Sequence, residues 1–462
     1  MPENYQVFFA TGVFLITYAV IVSEKIHRAV AAFVGAAVIV LSGILDPEAA
    51  VHAVDWNTIG LLVGMMIIVG VTRETGVFEY LAIRAAKAAG GRPLAILAAL
   101  AAITAVLSAL LDNVTTVLLI VPVTFAIARK LGLNPLPFLL TEILASNIGG
   151  TATLIGDPPN IMIGSATHLG FMDFVINLTP VVILIHVTTI FILQIYYRKQ
   201  LRVRPEMRES LMELDETSEL RDIGLLKRSL AVLGLTILGF MLHQYLHLES
   251  SVIALAGASL LLLVTRSDPE HPLQAVEWPV IFFFVGLFVV VGALEEVGVI
   301  NMLARFALDV TGGLIVPTGM LILWLSAIAS AFVDNIPFVA TMIPLIQDMG
   351  TLGNIPLSDL NFLWWSLSLG ACLGGNGTII GASANVVVIG MAEKRGLPMS
   401  FLGFMKVAFP LMLMSIVISS VYLYLWYILP TVPTLLATLG MALAVALLLR
   451  VVGRRWLAES MG

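Results

Sequence analysis

Residues 148–160 read IGGTATLIGDPPN, three glycines, two prolines and an aspartate inside a hydrophobic stretch. A helix broken there leaves backbone donors and acceptors unpaired, which lipid tolerates only where protein or a water-filled cavity takes them up. The stretch has a counterpart. GGTATLIGDPPN (149–160) matches GGNGTIIGASAN (374–385) at an offset of 225, with six of twelve positions identical. SALLDNVTTVLLIVP (108–122) matches SAFVDNIPFVATMIP (330–344) at an offset of 222, and Asp55-Trp56 matches Glu277-Trp278 at the same offset. Chance likeness between apolar helices would share Leu, Ile and Val. Asp-Asn and Gly-Gly mark a duplication.

The setting is a membrane. Of 462 residues 59% are hydrophobic and 12% charged, against about 25% charged in soluble domains, and the mean hydropathy is +1.01. Apolar runs of about 20 residues recur throughout, so an all-α polytopic membrane protein is expected. No cleavable-signal pattern opens the chain, and the first run reads as a retained helix. The lone Cys372 excludes an intrachain disulfide.

Basic and acidic helix ends alternate, which orients the chain. Lys25 and Arg28 follow the first run, Asp46, Glu48 and Asp55 the second, Arg73 and Arg84 the third. The N-terminus therefore reads as outside and the C-terminus as cytoplasmic, in a multi-pass protein of the cell (inner) membrane. Residues 94–130 have basic residues at both ends, Arg92 before and Arg129 and Lys130 after, so they should enter and return as a re-entrant hairpin with Asp112-Asn113 at its tip.

The expected order is an N-terminal helix (1–26) and a first repeat (27–197) with hairpin 94–130 and broken helix 137–166. A cytoplasmic loop (198–228) and a linking helix (229–249) follow. The second repeat (250–428) has hairpin 314–346 and broken helix 359–395, and a last helix occupies 429–462. The count is eleven crossings plus two hairpins. One helix between the copies makes the repeats inverted. In the loop, seven acidic residues interleave with eight basic ones, which favours a solvated linker over nucleic-acid binding.

Inverted repeats with interrupted helices form substrate sites near the midplane in secondary transporters. A carboxylate at that depth costs roughly 2.5–3.5 kcal/mol on insertion scales, so Asp112, Asp334 and Asp157 call for a task or a partner. The bland alternative for a hairpin-tip aspartate is a helix cap. Asn113, Asn335, Asn160, Asn385 and Asn376, with Thr151, Thr153, Thr378 and Ser383, make the breaks rich in oxygen and suited to a hard cation such as sodium. Na+ is expected at Asp112, Asn113, Asp157, Asp334 and Asn335. Lys and Arg stand only at the ends of the hairpins and broken helices (Arg129, Lys130, Lys394 and Arg395) and none lies inside them, which disfavours a bare anion and favours a cation, a neutral solute, or an anion bound after cations.

At these residues the sequence resembles the ion transporter superfamily, and within it the ArsB/NhaD permease and P-protein group, CitMHS-like and distantly similar to dicarboxylate/sodium symporters. NIGGTATLIGDPPN (147–160) and the Asp-Asn tips carry the likeness, which covers nearly the whole chain. It implies one cluster of Asp112, Asn113, Gly150, Asp157 and Asn160, and another of Asp334, Asn335, Gly375, Asn376 and Asn385. It also implies a homodimer in the lipid bilayer in which hairpins and broken helices move against a scaffold.

The leading expectation is secondary transport of a small inorganic ion or solute coupled to H+ or Na+, by Na+/H+ antiport or arsenite-type efflux, with no other cofactor. Alternatives are a Na+-coupled carboxylate symporter, an ion channel, and an intramembrane aspartic protease using Asp112 and Asp334.

Overall fold

A computed structural model describes residues 3–23, 25–265, 270–429 and 439; most of the expected last helix, 429–462, lies outside them. The described residues are helical and fall into two series of ten. The first is α1 (Glu3–Ser23), α2 (Arg28–Ser42), α3 (Pro47–His52), α4 (Trp56–Arg73), α5 (Val77–Ala88), α6 (Pro93–Leu110), α7 (Asn113–Leu131), α8 (Leu136–Gly150), α9 (Pro158–Ala166) and α10 (Phe171–Tyr197). After α11 (Pro205–Met212) comes the second: α12 (Ile223–Leu246), α13 (Ser250–Thr265), α14 (Glu270–Gln274), α15 (Trp278–Glu296), α16 (Val299–Thr311), α17 (Ile315–Phe332), α18 (Asn335–Leu352), α19 (Leu357–Gly374), α20 (Ser383–Glu393) and α21 (Phe401–Ile428).

Starts at 28, 56, 77, 93 and 113 recur at 250, 278, 299, 315 and 335, the offset the sequence motifs share. α1 packs along α2 as α12 packs along α13. The repeat thus includes α1 and α12, which share no polar signature in the sequence. Nine described helices are long and apolar enough to span a membrane, with three shorter apolar ones. Large apolar side chains such as Phe8, Leu41 and Leu263 are exposed on them, as lipid-facing positions are.

The chain divides into two compact units. One comprises residues 1–77, 158–172 and 219–371. At its centre, α2 packs on α15 and α13 packs on α4, each copy lending one helix to the other's partner. Small residues allow the approach. A Cβ on Gly64 would lie 2.6 Å from the Ala254 carbonyl carbon, and one on Gly286 2.6 Å from that of Ala32. Both contacts are related by the 222-residue offset, so the pairing has two-fold character.

The other unit comprises 78–157, 173–218 and 372–462. Its core is α8, buried at every residue from Pro137 to Gly150, with α6, α7, α20 and α21 packed on it. A helix buried on every side belongs in such an interior, and its polar residues Thr141, Glu142, Ser146 and Asn147 are buried with it. α5 and α11 are amphipathic pieces that reading for spans alone overlooks. Segment 198–228 is more than a linker, since α11 packs on α7 and Lys87 of α5 donates to the Leu214 carbonyl and the Glu216 carboxylate. That lysine holds the Glu216 carboxyl below its ordinary 4.5.

Candidate functional site

Both hairpins are built alike. The first arm ends, an aspartate turns the chain, and the second arm begins at the following asparagine. Asp112 is the N-cap of α7, its carboxylate accepting from the Thr115 N–H at 2.8 Å and from the Thr115 hydroxyl. Asp334 is the N-cap of α18, accepting from the Ile336 N–H at 3.1 Å. Each satisfies an orphan donor of a helix start, so the capping role weighed in the sequence is present at both tips.

Each broken helix is held to its own hairpin. Ser108 of α6 donates to the Ser146 carbonyl at 2.7 Å, and Ser330 of α17 to the Ala371 carbonyl at 2.7 Å. Beyond the break the chain passes to the other copy's hairpin, α9 packing on α18 and α20 on α7. Each unit therefore holds one hairpin, the first half of that copy's broken helix and the second half of the other's.

In the unit containing the first hairpin, the first break runs 151–157 and is buried throughout. Gly150 and Gly156 close on each other: a Cβ on Gly150 would sit 2.5 Å from the Gly156 oxygen, and one on Gly156 2.6 Å from the Gly150 oxygen. No side chain fits, which explains both glycines. Thr151 donates to the Asn147 carbonyl at 2.7 Å, and Thr153 ties the break to the Ala109 carbonyl at 2.5 Å. Asp157, fully buried, ends the break before Pro158 and Pro159 open α9.

Four buried asparagines join these pieces. Asn113 at the tip donates from Nδ2 to Asn147 Oδ1 at 3.1 Å. Asn147 donates to Asn376 Oδ1 and Asn385 Oδ1, both at 2.9 Å. Asn385 donates to the carbonyls of Gly375 and Thr378 at 2.7 and 2.8 Å, holding the second break in shape. Ser383 is half-buried at the start of α20. The tip of the first copy and the second break thus meet through Asn147, a residue the sequence reading did not single out.

In the other unit, Asn335 is 3% exposed beside Asp334, and Asn160 accepts a 2.6 Å hydrogen bond from Ser368 of α19. The family resemblance groups Asn160 with Asp112, and Asn376 and Asn385 with Asp334. Instead Asn160 rides on α9 against the second hairpin, while Asn376 and Asn385 join Asn113. The exchange of half-helices between copies is the reason.

A cation is present at the second tip after all. Arg28, the first residue of α2, donates from Nη1 to Asp334 Oδ2 at 2.7 Å, with the side chains 25% and 10% exposed. Its guanidinium carbon lies 5.1 Å from the centre of the Phe283 ring. The hairpins and broken helices carry Lys and Arg only at their far ends, at Arg129, Lys130, Lys394 and Arg395, but a helix start 306 positions away supplies one at the tip. In the sequence it reads only as a cytoplasmic flanking charge.

Glu142 was also missed. It lies in α8, 1% exposed, with Oε1 accepting from the Thr124 hydroxyl at 2.5 Å and Oε2 without a hydrogen-bond partner. Among the described residues no three His, Cys, Asp or Glu side chains gather as a metal site would require.

Comparison with known proteins agrees with this architecture. The family model for CitMHS citrate transporters matches residues 18–370. A Mycobacterium bovis protein described as an uncharacterized transporter is 45% identical, covering 90% of this chain and 98% of its own. The P protein of Homo sapiens is 34% identical over 90% of this chain and 60% of its own length. The crystal structure of the Alcanivorax borkumensis YdaH transporter aligns with a TM-score of 0.57 at 15% identity, covering 92% of this chain and 98% of that one. That likeness concerns the fold. The protein is a multi-pass membrane transporter, and it belongs to the CitMHS citrate transporter family.

Proposed function

We propose that this transporter moves a small ion or solute against a coupling cation, Na+ or H+. The candidate residues lie at the hairpin tips and helix breaks of each unit: Asp112, Asn113, Gly150, Thr151, Thr153, Asp157, Gly375, Asn376, Thr378, Ser383 and Asn385 in one, and Asn160, Asp334 and Asn335 in the other. The observation that carries this reading is the buried asparagine network from Asn113 through Asn147 to Asn376 and Asn385. It gathers buried amide oxygens and the carbonyls of Gly375 and Thr378, with Asn113 next in the chain to the Asp112 cap. Hard monovalent cations take such oxygen ligands, and broken helices present their end charges to ions.

The two copies lie oppositely in the membrane, and the protein works as a homodimer in the cell membrane by elevator-type movement, N-terminus outside. Na+/H+ antiport and arsenite-type efflux fit the acidic tips best. A second reading, a carboxylate carried together with cations, draws on the matching family's description as citrate transporters. Under that reading Asp112 takes the cation and so makes room for the anion.

Proteoliposomes decide between them. Flux of Na+, arsenite and citrate is followed under imposed Na+ and proton gradients. Gradient-driven movement of one of these supports the reading and names the cargo. Currents far above carrier turnover, independent of either gradient, would establish a channel instead.

A further inference from the structure

The two hairpin tips are alike in sequence but differ in their charge partners. Asp112 has Thr115 three residues on, and that residue supplies both cap donors. At the matching position the second copy has Pro337, which offers neither an N–H nor a hydroxyl. Arg28 donates to Asp334 instead. The position matching Arg28 is Ser250, at the start of α13. Among the described residues no Lys, Arg or His lies within ion-pair distance of Asp112.

Two further substitutions accompany the first pair. Phe283, whose ring faces the Arg28 guanidinium, corresponds to Leu61, which has no π face. Tyr18, which donates to the Pro337 carbonyl, corresponds to Phe240, which has no hydroxyl. Four positions therefore differ together, and each difference either builds the guanidinium site or steadies the tip beside it. Symmetry has been broken in charge at one tip and kept in backbone.

We propose that Arg28 is a tethered cation that permanently occupies, at Asp334, the place a mobile coupling cation takes at Asp112. The inference rests on the cation-coupled reading above and deepens it. Only the first tip exchanges a cation during transport. The second holds a built-in one, and Arg28 sets the number of cations moved per solute. Arginine suits the task because it stays charged and its rigid fork fits a carboxylate.

The test is the equilibrium solute gradient that a fixed cation gradient supports in proteoliposomes, with the membrane potential clamped at zero. Arg28→Ser installs the residue of the first-copy counterpart position and frees Asp334 for a second mobile cation. With a tenfold cation gradient, one additional coupled cation multiplies the solute ratio by about ten. Arg28→Lys keeps a fixed cation and should keep the wild-type ratio.

Arg28→Gln also removes the fixed charge, keeps a side-chain N–H donor for Asp334 and should show the same tenfold rise; it decides the matter if Arg28→Ser does not fold. A wild-type ratio in a folded Arg28→Ser or Arg28→Gln protein overturns the proposal, and so does an Arg28→Lys protein whose ratio rises with theirs. Absence of any Na+- or proton-driven flux in the unmodified protein is a different failure, that of the cation-coupled reading itself.

Discussion

Replacing Asn147 by alanine removes three buried hydrogen bonds at once: the one it accepts from Asn113 and the two it donates to Asn376 and Asn385. Side-chain hydrogen bonds between membrane helices average about 0.6 kcal/mol and reach about 1.7. Three of them give about 2 kcal/mol, with an upper bound near ~5 kcal/mol if each is at the strong end. The lower figure is already roughly thirtyfold in the folded-to-unfolded ratio. Asn385 keeps its bonds to Gly375 and Thr378, so the second break should hold its shape while the tip comes loose from it. Asn147→Asp should do worse, because it turns an oxygen towards two amide oxygens. Ser146→Ala, which removes only a bond to the Ile143 carbonyl one turn back, is the neighbouring control. Reversible unfolding in mixed micelles measures the stability, and gradient-driven flux in liposomes measures the coupling. Asn147→Ala with wild-type stability and wild-type flux would refute the network's role.

Gly64→Ala and Gly286→Ala each push a Cβ to 2.6 Å from a facing backbone carbon, and both should lose about 1–3 kcal/mol through overpacking; Gly12→Ala, with nothing within 4 Å, should lose none. Equal losses at the two glycines would bear out the two-fold pairing, and a loss at only one would contradict it. Glu142→Gln keeps the acceptor for Thr124 and should fold as the wild type does. Glu142→Ala should lose about 1–3 kcal/mol by leaving the Thr124 hydroxyl unpaired in a dry core, read in the same unfolding assay.

Much of this was legible in the sequence because lipid makes certain residues conspicuous. Asp-Asn at 112–113 and 334–335, and the glycines and prolines of 148–160, stand out where nearly every neighbour is apolar. They marked the duplication, the tips and the breaks. Asn147 was not legible in the same way. It sits in regular helix before the first break, where one amide reads as packing, and its partners lie 229 and 238 positions away. Arg28 was concealed by the rule that basic residues flank helices on the cytoplasmic side. Its partner follows from the exchange of elements between copies, which no local pattern records.

Glu142 is the single carboxyl of α8, and its burial depends on α8 lying at the centre of its unit. The exchange of half-helices was hidden too. Spacing along the chain keeps Asn160 near Asp157, whereas the fold turns α9 towards the other copy's hairpin. The amphipathic α5 and α16 were passed over because they are only 12 and 13 residues long, too short to register as spans.

The central claim is that a mobile cation binds at the first tip and drives transport. Asp112→Asn tests it most directly, because an amide oxygen can still accept from the Thr115 N–H and cap α7 while the charge is gone. In proteoliposomes holding equal amounts of folded protein, Na+- or proton-driven flux should fall to the level of empty vesicles in Asp112→Asn. Flux at the wild-type rate and with the wild-type cation dependence would contradict the account.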